Sequence, residues 1–236
     1  NYSLLYRVCP SFSRNSRSLR NKLKKNSVWH RTVVRSGILS GRGLHTGRPC
    51  SLQVKPASAN AGIVFFKNGK RLGSLSQGPP LRAHGDRCTA IGKASETILT
   101  VEHFLAAVWC LGLSNLETHV EGPEMPALDG SALGFVRFLK KLGSRKQARK
   151  RTVWRIHEPI FFAVPGKAIQ ALPSDRLSVS YTLDYPHPAL RNQSVHFLVD
   201  AKTFEKELAP ARTFCTDAEA GLLKENGFGR GADTSN

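Results

Sequence analysis

Apolar and polar positions alternate over residues 115–121, where Leu116, Thr118 and Val120 interleave with Glu117, His119 and Glu121. A period of two predicts a half-buried strand. Runs rich in β-branched and aromatic residues predict further strands over residues 32–36 and 51–56 and over Ile63–Lys67. The period lengthens over residues 100–111, where Val101, Phe104, Leu105 and Val108 fall at helical spacing and Thr100 stands ready as N-cap. After the turn at residues 126–130, a second helix is predicted over residues 131–142. Strand signals then return over residues 152–156, 160–164, 177–183 and 195–199, and a polar helix is predicted from about Asp217 to Asn226. Strands followed by helices, and that order begun again, predict an α+β chain with a domain boundary near residues 143–151.

Charge changes the picture at two places. The chain has 236 residues, 40% of them apolar, and a net charge of +18. The excess falls in two acid-free blocks, residues 1–35 and residues 137–155, and the rest is near neutral. The first block is rich in Arg and Ser, lacks a secretory apolar core and has the composition of an organelle transit peptide, with mitochondria as the expected destination. A basic arm retained on the protein is the plain alternative. The second block, with Gly143 and Ser144, reads as a linker. The neutral body argues against a nucleic-acid partner, although a basic mitochondrial RNA-binding protein stays as an alternative, with Phe138 and Trp154 as stacking aromatics. No apolar stretch is long enough to predict a transmembrane segment. Five widely spaced cysteines without a Cys-x-x-Cys pair disfavour a disulfide framework or zinc knot.

The candidate chemistry begins at Glu102-His103, near the start of the predicted apolar helix. At 100° per residue His103 points away from the apolar face and Glu102 lies at its border. From local pattern alone, a solvated Glu–His pair and a zinc hydrolase pairing both remain open. The latter needs His103 as a metal ligand and Glu102 as the base acting on metal-bound water. His196 and Asp200 share i, i+4 spacing but sit in a strand-like alternation, about 13 Å apart along a strand, and are assigned to its outer face. His84 and Cys88 are weaker ligand candidates. The run Gly41-Arg42-Gly43-Leu44-His45-Thr46-Gly47 has the wrong spacing for a dinucleotide site and reads as a glycine-rich hairpin, from which His45 could line a cleft. Thr213, in Ala211-Arg212-Thr213-Phe214, could face a developing oxyanion.

Taken in order, Ser40 to Gly47, Arg87-Cys88-Thr89, Thr100 to His103, Gly112 to Asn115, Pro123 to Pro126, Leu128 to Ser131 and Ala211 to Phe214 resemble the zinc-dependent UDP-3-O-acyl-N-acetylglucosamine deacetylases of lipid A biosynthesis, in a plant mitochondrial version. The resemblance implies two similar two-layer α/β-sandwich domains with the site between them. It divides the chain into a basic arm (1–31), a first domain (32–143), a basic linker (144–151) and a partial second domain (152–236). It implies Zn2+ with His103 as ligand, Glu102 as general base and Thr213 as oxyanion stabiliser. Leu44, His45, Phe214 and Glu219 are implied to contact a UDP-linked acylated glucosamine. Relatives continue past the turn at Gly231 into a segment bearing further zinc ligands and a late histidine. The expectation is therefore a truncated chain with weak zinc affinity and little activity, or a non-catalytic paralogue that binds the acylated sugar nucleotide or a full-length copy.

Overall fold

The computed structural model describes residues 23–77, 81–84, 88–93 and 96–233. The targeting signal expected at the amino end thus lies largely outside the described residues. The described residues form a mixed α+β fold of small sheets and four α-helices. In chain order the first strands are β1 (Leu23–Val33), β2 (Gly37–Arg42), β3 (Pro49–Pro56), β4 (Ile63–Lys67) and β5 (Lys70–Ser74). The short strands β6 (Leu81–His84), β7 (Cys88–Lys93) and β8 (Glu96–Ile98) precede α1 (Glu102–Cys110), β9 (Leu116–Glu121) and α2 (Leu133–Leu142). Then come β10 (Ser144–Ile156), β11 (Ile160–Val164), β12 (Lys167–Ala171), β13 (Ser178–Leu183), β14 (Gln193–Leu198), α3 (Ala201–Thr203) and α4 (Asp217–Glu225).

A five-stranded sheet in the order β2-β3-β9-β4-β5 carries the core. Its alternation is that read from the sequence: Leu116, Thr118 and Val120 are buried while Glu121 is exposed. Both long helices cover this sheet. Phe104, Ala107 and Val108 face inward from α1, and Phe135, Val136, Phe138, Leu139 and Leu142 from α2. Phe104 sits edge-on to Phe65 of β4 and to Phe135, with ring centres 6.4 and 5.8 Å away. The burial of Phe138 removes it as a stacking aromatic.

Three expectations change. The segment 144–151, read as a linker, is strand, and with residues 152–156 it forms β10. Its partner is β1, antiparallel, so residues 23–31 of the presumed arm are strand too. The cause is pairing between segments far apart in sequence, which local pattern does not register. Third, the strand expected over residues 32–36 is broken after Val33. There Val34 and Arg35 donate their backbone N–H groups to Gly143 and Leu142, satisfying carbonyls at the end of α2.

Past β10 the strands pair as two separate hairpins, β11–β12 and β13–β14. From this half Phe204 and Ala209 enter the main core and Val199 and Leu208 pack against it, whereas Phe161, Ile169, Tyr181 and Val195 are exposed. His196 lies exposed on β14, as expected. Asp200 does not share that strand face: it is the N-cap of α3, accepting from the Thr203 backbone N–H at 2.8 Å.

Candidate active site

The helix α1 starts from a strained residue. Thr100 has φ 59°, in the left-handed region where a β-branched side chain is an outlier. The expected cap does not form: Val101 occupies the N-cap position, and no side chain caps there. The Thr100 hydroxyl instead donates to Glu124 Oε1 at 2.7 Å, and the Val101 N–H reaches the Thr89 carbonyl at 3.2 Å. These two bonds over-determine the turn from which Glu102 and His103 emerge.

Glu124 is a wholly buried carboxylate. Besides Thr100 it accepts from the His45 N–H (3.1 Å to each oxygen), the Thr46 N–H (3.0 Å) and the Thr46 hydroxyl (3.1 Å). A buried charge is tolerated only with such a full set of donors. One side chain thereby ties the glycine-rich loop to the N-terminal end of α1. Gly43 is required at this point, since a Cβ there would strike the Glu124 carboxylate and the Thr46 hydroxyl. The sequence reading gave Glu124 no role; its signal was a lone acid between Gly122-Pro123 and Met125-Pro126.

Glu102 is partly buried and accepts from the Thr89 N–H at 3.1 Å. His103 is partly buried, and its Nε2 lies 3.3 Å from the Thr213 hydroxyl. Two residues that the sequence reading placed in one site, 110 positions apart, are thus side by side. The approach is fixed by backbone bonds from the later segment onto the turn before α2: Thr213 N–H to Gly130 (3.2 Å) and Ala132 N–H to Ala209 (3.0 Å).

His45 is buried, its ring edge-on to Phe228 at 5.3 Å, and Leu44 is half-buried beside it. The Arg230 and Gly231 N–H groups donate to the His45 and Leu44 carbonyls at 3.2 and 2.9 Å, so residues 228–231 close over the loop. Phe214 is exposed and packs edge-on to Tyr185, with ring centres 5.7 Å apart. The Glu219 carboxylate accepts from the Thr216 N–H and hydroxyl at 2.9 and 3.0 Å, forming the capping box of α4. His84 and Cys88 are register partners at the β6–β7 turn. Cys88 is buried, and burial pushes its thiol up to about 11.

Among the described residues no three His, Cys, Asp or Glu side chains converge as a metal-binding group. His103 therefore stands as a single prospective ligand, where a hydrolytic zinc needs three protein ligands and an open position. The described residues do not fit a complete zinc site. What they do assemble is a carboxylate and an imidazole on one helix end, with a threonine hydroxyl brought to the imidazole from a distant segment. Among the described residues, no helix is long and apolar enough to cross a membrane.

Comparison with known proteins places the chain among relatives of one family. A UDP-3-O-acyl-N-acetylglucosamine deacetylase of Syntrophotalea carbinolica is 34% identical over 210 residues, covering 89% of this chain and 68% of the relative. The enzyme of that name from Oleidesulfovibrio alaskensis is 35% identical over 209 residues (88% and 68%), and that of Helicobacter pylori 31% over 205 (87% and 69%). The family profile described as UDP-3-O-acyl N-acetylglycosamine deacetylase matches residues 30–236. The match takes in both the α1 pairing and the Thr213 segment, and the chain belongs to the UDP-3-O-acyl N-acetylglycosamine deacetylase family.

Proposed function

We propose that the pairing of Glu102 and His103 with Thr213 is the catalytic part of an amide hydrolase acting on the N-acetyl group of a UDP-linked 3-O-acyl glucosamine. The observation that carries it is the 3.3 Å approach of the Thr213 hydroxyl to His103 Nε2. In this reading Glu102 accepts the proton of the attacking water and later returns it to the leaving amine. The Thr213 hydroxyl donates to the oxygen on which negative charge develops. Leu44, His45 and Phe214 line the approach of the acylated sugar. The family resemblance implies Zn2+, to which His103 would contribute one ligand and which would polarise the amide carbonyl when bound. Because the described residues supply no second or third ligand, the roles of Glu102 and Thr213 are stated without it.

The test is acetate release from the acylated sugar nucleotide by the purified chain with zinc supplied. Turnover that falls at least a hundredfold in Glu102→Gln is expected. Turnover indifferent to both Glu102→Gln and Thr213→Ala overturns the assignment.

The lone imidazole favours one second reading, a protein that binds the acylated sugar nucleotide without turning it over. Saturable binding with no acetate release identifies it. We also propose mitochondrial import, supported by the Arg- and Ser-rich, acid-poor composition of residues 1–35. A reporter fused to those residues that stays in the cytosol rejects import.

A further inference from the structure

The ribbon β1–β10 brings residues 23–33 of the first basic block beside residues 144–155 of the second. Neither strand contains an acid. A cation stands opposite a cation in the register, Arg31 with Lys146. Like charges placed directly across a strand pair are destabilising, so this arrangement is not one that folding favours.

The base of the ribbon is held to the body. His30 is buried, with its ring nitrogens 3.1 Å from the Ser114 hydroxyl and 2.8 Å from Asn60 Oδ1. Asn115, also buried, donates to Gln147 Oε1 at 2.7 Å, and Gln147 donates onward to the Ala57 carbonyl at 2.9 Å. Beyond this anchor the ribbon is largely exposed.

One face of it has a defined chemistry. Trp29 is the register partner of Lys150, and the Lys146 and Lys150 ammonium groups lie 4.0 and 5.1 Å from the Trp29 ring centre. Trp154 follows Lys150 by four residues on the same strand, hence on the same face about 13 Å farther along. Trp29 and Trp154 are 43% and 52% exposed, which is large for indoles.

We propose that this Trp–Lys face of β1–β10 is a docking surface for an anionic phospholipid bilayer. Indole rings settle at the headgroup level of a membrane, where an apolar body and a polar N–H are both satisfied. Lysines beside them are attracted by the negative surface potential of acidic lipids. A single-stranded nucleic acid would need open ring faces for base stacking, but the Trp29 ring already has lysine ammonium groups over it. The surface shares no residue with the Glu102, His103 and Thr213 grouping, so the proposal does not depend on the deacetylase reading.

The experiment is co-sedimentation of the full chain with vesicles of phosphatidylcholine alone and of phosphatidylcholine with phosphatidylserine, at low and high salt. Binding to the anionic vesicles only, weakened by salt, is expected. Joint Lys146→Ser and Lys150→Ser substitution should weaken it about thirtyfold. Trp154→Ser should weaken it further, while joint Lys146→Arg and Lys150→Arg should preserve it, so that a mere folding defect is told apart. No binding, equal binding to neutral vesicles, or binding unchanged in the serine variants overturns the proposal. So does displacement of the protein from vesicles by oligouridylate at lower concentration, which would reassign the face to RNA.

Discussion

The Thr100 hydroxyl donates to Glu124 Oε1 at 2.7 Å across the start of α1, where a side-chain cap was expected. That bond turns a potential helix cap into a strut between the Glu102-His103 end of α1 and the glycine-rich loop, since the same carboxylate holds the His45 and Thr46 N–H groups. Glu124→Gln keeps the shape but presents an amide NH2 toward some of these donors. A loss of about 2 kcal/mol in urea unfolding is expected. An unchanged midpoint would show that the donors find other acceptors.

Gly43→Ala places a Cβ against the Glu124 carboxylate and the Thr46 hydroxyl. Overpacking at such a site costs about 1–3 kcal/mol. The expected result is a lowered thermal midpoint with loss of protection of the His45 and Thr46 amides in hydrogen exchange.

Phe104 anchors α1 between Phe65 and Phe135 and is wholly buried. Phe104→Ala should cost about 3–5 kcal/mol in denaturant unfolding, and Phe104→Leu much less. If both substitutions cost the same, ring packing is not what fixes the helix.

For Thr213→Val, which keeps the shape and removes the hydroxyl, turnover should drop by about a hundredfold or more with the unfolding midpoint within about 0.5 kcal/mol of the parent. Activity preserved in Thr213→Val would remove the hydroxyl from the chemistry.

Thiol reactivity is sorted by burial. Desolvation raises Cys50 to about 12, with the Glu124 charge adding to it, and raises Cys88 and Cys110 to about 11. A raised pKa leaves little thiolate at neutral pH. Brief maleimide treatment of the native chain, read by peptide mapping, should therefore modify exposed Cys215 while sparing Cys50 and Cys88. Equal labelling of Cys50 and Cys215 would contradict the packed β3 environment.

How much was legible follows from the range of the signal. Strands β3, β4 and β9 and the helices α1, α2 and α4 were placed within about two residues, because alternation and helical spacing are carried by neighbours in the chain. Short strands such as β5 and β12 were missed, as Lys70–Ser74 has a single apolar residue, Leu72, and the apolar positions of Lys167–Ala171 do not alternate. In the candidate site, Glu102, His103 and Thr213 were singled out through motifs. Glu124 stood within the motif Pro123 to Pro126 but was given no role, because a buried carboxylate looks like any other acid until its donors are assembled.

The sequence by itself determined the locally periodic elements, the two acid-free basic blocks and, through its ordered motifs, membership of the deacetylase family. Only the tertiary structure decided that parts of the two basic blocks pair as one ribbon, that Thr100 serves Glu124 and that Thr213 meets His103. The reason is physical: periodicity tells which face of an element is to be buried, but not what will cover it. Hydrogen bonds between distant segments are selected only when closure of the chain brings their donors and acceptors within about 3 Å.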